Sequence, residues 1–280
     1  MQAELLLTAI RAAVMAGEQI LGVYYSDFAV DFKADDTPLT MADKRAHQTI
    51  SRCLKAETDL PVLSEEGREE PYERRKQWAR LWIVDPLDGT KEFVKRNDEF
   101  TVNIALVENH RPVLGVIFVP VSGTLYFAAG AVGARKLSGS RLMEKGADWT
   151  LPALLDRSQP LPLEYAAAEG EVTIVGSRSH ATPELEAFVD QKRREYDQVR
   201  FVSAGSSLKF CLVAEGSAHL YPRFGPTMEW DTAAGQAIAE CSGACVLRQD
   251  TGLPLDYNKK NLINPNFMVF RKKPEKKEVS

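Results

Sequence analysis

The sequence is organised around one stretch, Trp82-Ile83-Val84-Asp85-Pro86-Leu87-Asp88-Gly89-Thr90. The apolar run just before its first acid, 81–84, is typical of a short buried strand. Asp85 precedes a proline, which disfavours helix, so we expect the strand to end with Asp85 still extended. Gly89 has no side chain and lets the backbone come close to a ligand. The stretch therefore predicts a strand that delivers two carboxylates into a tight turn.

The same stretch concentrates oxygen atoms that can bind a metal ion. Asp85 and Asp88 supply carboxylates, Leu87 a backbone carbonyl and Thr90 a hydroxyl. Such donors suit Mg²⁺, Mn²⁺ or Ca²⁺ better than softer metals. An Asp-Pro-x-Asp-Gly surface turn would favour the same residues. The local sequence leaves both interpretations open.

Composition bounds the class of protein. The chain has 280 residues, enough for one large domain or two of ordinary size, and a formal charge of −4. This charge gives no sign of a surface for nucleic-acid polymers. We expect neither a membrane span nor a secretory signal, since no apolar run approaches about 20 residues and no basic region precedes the first leucines. Four cysteines without a Cys-x-x-Cys pair predict reduced thiols in a cytoplasmic protein.

The spacing of apolar residues differs between the two halves of the chain. Helices are predicted over 4–25 and 41–57, and a short strand at 61–63 is followed by an antiparallel meander over 100–127. The pattern fades between residues 137 and 171 and then becomes strand–helix alternation. We therefore predict an N-terminal α+β domain over 1–136 that carries most metal ligands. A C-terminal α/β domain is predicted over 137–280.

Four blocks in order reveal a family resemblance. They are Thr40-x-x-Asp43, Ser64-Glu65-Glu66, Asp85-Pro-Leu-Asp88-Gly-Thr90 and Trp230-Asp231-Thr-Ala-Ala-Gly235. Together they resemble the inositol monophosphatase superfamily of metal-dependent, lithium-sensitive phosphatases. The segments 205–216 and 220–226 are similar to its 3′(2′),5′-bisphosphate nucleotidase branch. The resemblance implies an α+β and α/β fold built as an alternating α-β-α-β-α layered sandwich.

The resemblance also implies a metal centre with two or three Mg²⁺ ions. Glu65, Asp85 and the Leu87 carbonyl would hold one ion. Asp85, Asp88 and Asp231 would hold a second, and Glu65 would reach a third through water. Asp231 opens a predicted helix, where an acid is favoured whatever the function.

Catalytic and substrate roles follow from the same resemblance. Asp43 and Thr90, with Glu65 beside them, would orient and deprotonate the attacking water, although Thr40 and Asp43 also fit a helix-capping box. The residues implied to contact substrate are Asp88, Gly89, Thr90, His180, Ser206, Ser207, Lys209, Arg223 and Asp231. Considered alone, a serine at a helix start is usually a cap, and a single histidine, lysine or arginine is usually solvated.

The expected function is Mg²⁺-dependent removal of the 3′-phosphate of adenosine 3′,5′-bisphosphate to give AMP, with the sulfated nucleotide as a second substrate. The alternatives are an inositol or sugar monophosphatase and a non-catalytic nucleotide- or metal-binding protein. The expected partner is this small nucleotide, and the chain is expected to be a monomer or a homodimer. The mixed-charge tail, 271–280, is typical of a solvated end, with weak peripheral attraction to the inner membrane as the alternative.

Overall fold

The computed structural model describes residues 2–26, 30–32, 38–139, 149–163, 170–177 and 182–271. Its helices are α1 (Gln2–Tyr24), α2 (Met41–Glu57), α3 (Tyr72–Arg75), α4 (Thr90–Val94), α5 (Leu151–Arg157), α6 (Pro183–Glu195), α7 (Leu208–Glu215) and α8 (Glu229–Cys241). Its strands are β1 (Val30–Phe32), β2 (Pro38–Thr40), β3 (Val62–Ser64), β4 (Arg80–Asp88), β5 (Thr101–Glu108), β6 (Arg111–Val119), β7 (Thr124–Ala129), β8 (Gly133–Leu137), β9 (Gln159–Pro160), β10 (Glu171–Ser177), β11 (Gln198–Ala204), β12 (Leu220–Arg223), β13 (Ala244–Arg248) and β14 (Phe267–Arg271).

A seven-stranded sheet runs in sequence order from β3 to β9. All of its neighbours are antiparallel except β3 and β4, which are parallel, so these two strands end at the same edge of the sheet. β4 continues past Asp85 to Asp88, further than the sequence predicted. Its register with β5 shifts between these two acids because Pro86 has no N–H to donate to the ladder.

Both faces of this sheet are covered. Side chains of α1 and α2 pack with Trp82, Val84 and Ile104 on one face, and the residues that alternate with these, such as Ile83 and Ala105, pack towards the second half of the chain. The central strands are therefore apolar along nearly their whole length. α1 is long and apolar enough to span a membrane, but 56% of the residues in the relevant window are buried against the sheet. We interpret it as a core helix.

The second half contributes a five-stranded sheet in the order β11-β10-β12-β14-β13. α7 and α8 lie between the two sheets, and α6 packs on the outer face of the smaller one. The close approach of α8 depends on Gly115 in β6, because a Cβ atom there would overlap the Ala234 carbonyl oxygen. The layers follow the order α-β-α-β-α, which confirms the predicted sandwich.

Several boundaries differ from the sequence prediction. A helix, α5, and a short strand, β9, lie inside the segment expected to be irregular, and β9 joins the seven-stranded sheet. The N-terminal sheet thus includes residues after 136, while the division into two domains stays a prediction. α7 begins at Leu208, and Ser206, two residues before it, adopts a left-handed conformation with φ of 42°.

Candidate active site

Four of the predicted acids line one cavity of about 290 Å³ between the two halves of the fold. Glu65 follows β3, and its N–H donates to the Val84 carbonyl at 3.2 Å, which ties the turn after β3 to β4. Asp85 and Asp88 come from the end of β4, and Asp231 comes from the first turn of α8. The parallel pairing of β3 and β4 and the position of α8 between the sheets therefore bring together the four acids that the sequence separates.

Asp43 lies in the first turn of α2 and is 1% exposed. Its charge is one of those that raise the pKa of Asp85, so it lies close to the acid cluster. The Thr40 side chain is outside the described residues, and the capping box with Asp43 stays a prediction. Asp231 does cap its helix, since its Oδ2 accepts the Met228 N–H at 2.9 Å.

The acids perturb one another strongly. Burial, followed by the charges of Glu65, Asp88 and Asp231, raises the pKa of Asp85 well above its ordinary value. Burial and the charge of Asp88 raise the pKa of Asp231 to about 8. Burial likewise raises the pKa of Asp88, against the opposing effects of Lys209 and of its hydrogen bonds. A cluster of this kind is stabilised by a cation placed among the carboxylates.

Hydrogen bonds fix the orientation of these acids. Asp88 Oδ2 accepts the Ser207 hydroxyl at 2.7 Å and the Asn103 amide at 3.1 Å. Asp85 Oδ1 accepts the Leu87 N–H at 3.1 Å. The Thr90 hydroxyl donates to the Leu87 carbonyl at 3.4 Å, so two of the predicted oxygen donors lie side by side.

The donor set fits a hard divalent cation. The four acids that line the cavity and the Leu87 carbonyl offer only oxygen, and the mutual repulsion of the carboxylates is the condition that such an ion relieves. Among the described residues, no three His, Cys, Asp or Glu side chains already form a group able to hold an ion. One carboxylate oxygen each of Asp85, Asp88 and Asp231 accepts a hydrogen bond from a protein N–H or O–H group.

Beside these acids, the cavity has a polar and cationic wall. It includes Ser206, Ser207, Lys209 and Arg223, four of the residues expected to contact substrate. Lys209 is 5% exposed and donates to the carbonyls of Ala204, at 3.3 Å, and Ser206. Burial lowers its pKa to about 8, although the charge of Asp88 opposes this effect.

Two polar atoms on this wall have no protein partner among the described residues. They are the Ser206 hydroxyl oxygen and Arg223 Nε, both buried. Buried polar groups normally have a hydrogen-bond partner. Both residues line the cavity, so an anionic group there would supply a partner once a small side-chain rotation brings these two buried atoms to the cavity surface.

Three helices begin at this cavity. Gly89, with φ of 91°, precedes α4, Ser207 precedes α7, and Met228 precedes α8. Their first N–H groups favour negative charge. His180, the remaining predicted contact, lies outside the described residues.

Sequence reasoning missed two residues of the site. Asn103 is 1% exposed and donates to both Asp88 and Ser207, at 3.1 and 2.9 Å. It is the single amide within the apolar strand β5, which was a usable signal. Glu92, two residues after Thr90, is 7% exposed and lines the cavity. Nothing in its local sequence distinguishes it from a solvated charge.

Comparisons with known proteins agree with this geometry. The sequence model of the inositol monophosphatase family matches residues 1–279. The 3′(2′),5′-bisphosphate nucleotidase CysQ of Escherichia coli K12 is 45% identical over 258 residues, which cover 91% of this chain and 94% of that protein. The protein of the same name from Haemophilus influenzae is 35% identical over 260 residues, 92% of this chain and 89% of that protein.

Solved structures share the whole fold. The crystal structure of CysQ from Bacteroides thetaiotaomicron, a bacterial member of the inositol monophosphatase family, superposes with a TM-score of 0.88 at 51% identity and covers 97% of this chain and 98% of that chain. Inositol monophosphatase from Anabaena superposes with a TM-score of 0.66 at 23% identity, covering 95% of this chain and 90% of that chain, and shows the fold alone.

Proposed function

Because the chain belongs to the inositol monophosphatase family, we propose that it is a Mg²⁺-dependent phosphatase that removes the 3′-phosphate of adenosine 3′,5′-bisphosphate. The products are AMP and inorganic phosphate. One observation carries the proposal: a single cavity is lined by the four predicted acids and by Ser206 and Arg223, each of which has a polar atom without a protein partner among the described residues. A substrate with two phosphates matches both walls, and the 45% identity to a bisphosphate nucleotidase supports that choice.

The acid wall would hold two or three Mg²⁺ ions through Glu65, Asp85, the Leu87 carbonyl, Asp88 and Asp231. Bound there, the ions would offset the charge of the phosphate dianion and lower the pKa of an attacking water. The chain's own carboxylates would otherwise repel the substrate, which is the reason for a metal requirement.

Side chains around the acids would orient the reaction. The Thr90 hydroxyl faces the Leu87 carbonyl and would align the water, with Glu65 beside it, while Asp43 would accept the proton that this water loses. The oxygen of the water attacks phosphorus, and the bond between phosphorus and the 3′-oxygen breaks. The N–H groups at Gly89 and Thr90 would bind the transferred phosphate.

The polar wall would bind the other end of the nucleotide. The Ser206 hydroxyl and the Arg223 guanidinium would contact the 5′-phosphate, with Ser207 and Lys209 behind them. His180 is proposed on the nucleotide side by resemblance alone. The sulfated nucleotide of sulfate activation differs only at its 5′-end, so the same site would accept it and release adenosine 5′-phosphosulfate.

Phosphate release in parallel assays tests the proposal. The substrates are adenosine 3′,5′-bisphosphate, inositol 1-phosphate and fructose 1,6-bisphosphate, each with Mg²⁺ and with EDTA, for wild type and for Asp88→Asn. We expect preference for the nucleotide, dependence on Mg²⁺, and a loss of about a hundredfold or more in Asp88→Asn, because charge that stabilises the transition state is removed. Asp190→Asn, at an exposed site on α6, is the matched control and should behave as wild type.

The other outcomes discriminate between the alternatives. Preference for inositol 1-phosphate would keep the hydrolytic centre and overturn the assignment of the polar wall. If no phosphate is released from any substrate, the proposed enzymatic function is refuted in favour of a nucleotide- or metal-binding protein. Residence in the cytoplasm as a monomer or homodimer belongs to the same proposal, and the tail considered for weak membrane association, 272–280, lies outside the described residues.

A further inference from the structure

Ser206 lies in a short segment, residues 204–207, that runs from the last residue of β11 to the start of α7. This segment is called the serine loop below. Its backbone at Ser206 has φ of 42°, a left-handed conformation that a serine adopts only when neighbouring contacts impose it. The position of the hydroxyl in the cavity therefore depends on whatever holds this loop.

Three attachments hold the serine loop. Ser207 donates to Asp88 at 2.7 Å and to the Asp231 carbonyl at 2.9 Å, which ties one end to the acids. Lys209 donates to the carbonyls of Ala204 and Ser206 from inside α7. The third attachment comes from the other half of the molecule: Glu99 Oε2 accepts the Gly205 N–H at 2.7 Å.

The contact between Glu99 and the loop is close. A Cβ atom at Gly205 would lie 2.8 Å from both the Glu99 carbonyl oxygen and Glu92 Cγ, so only glycine lets the loop rest on this segment. On the far side of the same carbonyl, a Cβ atom at Gly89 would lie 3.3 Å from it and from Ser206 Cβ. The Glu99 carbonyl therefore packs against both the turn after β4 and the serine loop.

Glu99 is not among the residues that line the cavity. We propose that Glu99 is a positioning residue for substrate specificity, which holds the serine loop so that the Ser206 hydroxyl meets the second phosphate. The inference rests on the proposed function. It predicts that Glu99 contributes more to the use of a bisphosphate than to the use of a monophosphate, because Asp88 is also held by Asn103 and Asp231 by the Met228 N–H.

The test compares adenosine 3′,5′-bisphosphate with adenosine 3′-phosphate, which lacks the second phosphate. In Glu99→Ala we expect kcat/KM for the bisphosphate to fall about tenfold, mainly through KM, since a charged hydrogen bond is lost. For the monophosphate the change should be less than about threefold. Glu99→Gln keeps an oxygen that accepts the Gly205 N–H and should recover most of the loss.

Controls separate this role from a general loss of structure. Glu108→Ala removes a glutamate at the other end of β5, where it pairs with Arg80 at 2.8 Å, and should leave the ratio of the two kcat/KM values unchanged. If kcat/KM in Glu99→Ala falls equally for both substrates, or falls for neither, the inference is overturned and the proposed function still stands. A wild-type enzyme that hydrolyses neither nucleotide would overturn both.

Discussion

Glu229 offers a quantitative test of how the helix that carries Asp231 is held in place. It is the first residue of α8, has no solvent exposure, and forms an ion pair with Lys259 Nζ at 2.7 Å. Its carboxylate also accepts the N–H groups of Asn258 and Lys259, at 2.5 and 2.9 Å. Glu229→Ala would leave two buried N–H groups and an ammonium without this partner.

We expect Glu229→Ala to lower the free energy of unfolding by about 3–5 kcal/mol, the usual cost of removing one member of a buried ion pair. With a urea m-value of about 3 kcal/mol/M, the unfolding midpoint would fall by about 1–1.7 M. Glu229→Gln keeps an acceptor for the N–H groups and should lose less. Glu195→Ala, at an exposed site on α6, is the control.

Equilibrium unfolding in urea, followed by circular dichroism, measures the change. A midpoint in Glu229→Ala within about 0.3 M of wild type would refute the reasoning, because it would mean that the buried contacts contribute no net stability. The double variant with Lys259→Met separates the ion pair from the hydrogen bonds. It should be more stable than Glu229→Ala alone, since the unpaired ammonium is then absent.

Two further predictions concern the acid cluster and its support. In metal-free protein burial and the charge of Asp88 raise the pKa of Asp231 from 3.8 to about 8, so between these values the folded state retains a proton that the unfolded state has lost, and thermal stability should fall from about pH 4 to about pH 8. With excess Mg²⁺ the melting temperature should depend less on pH. Equal slopes of melting temperature against pH with EDTA and with Mg²⁺ would contradict a cation site. Gly115→Ala should destabilise by about 1–3 kcal/mol and lower activity, because its Cβ would lie 2.9 Å from Ala237 Cβ and displace α8. Gly130→Ala, where a Cβ meets no atom within 4 Å, is the control, and equal unfolding midpoints would refute the packing argument.

The local sequence predicted much of the fold because its apolar residues recur with the period of the helix or strand that buries them. The helices at 2–24 and 41–57 and the strands of the meander agree with the apolar patterns. The start of α6 also has a local signal, since Thr182 Oγ1 accepts the Leu185 N–H at 3.3 Å and Pro183 is the first helical residue. α5 was missed because three prolines around a seven-residue helix obscure its period.

The site was predictable only where its residues form a motif. Asp85 and Asp88 were found because they lie in one short motif. Their proximity to Asp231 depends on packing between two sheets, so Asp231 was expected at the site only from the family resemblance. Asn103 was missed because its importance comes from the contacts that it makes across the fold, 15 residues from Asp88 and 104 from Ser207. No local rule connects positions so far apart.

The location of α8 between the sheets has a consequence for synthesis of the chain. A nascent polypeptide that has reached residue 136 already contains Glu65, Asp85 and Asp88, together with the strands that carry them. The fourth acid of the cavity emerges from the ribosome almost a hundred residues later, on a helix that is covered only when β12, β13 and β14 are in place. A chain that stops before α8 would therefore retain Glu65, Asp85 and Asp88 without the helix that brings Asp231 to them.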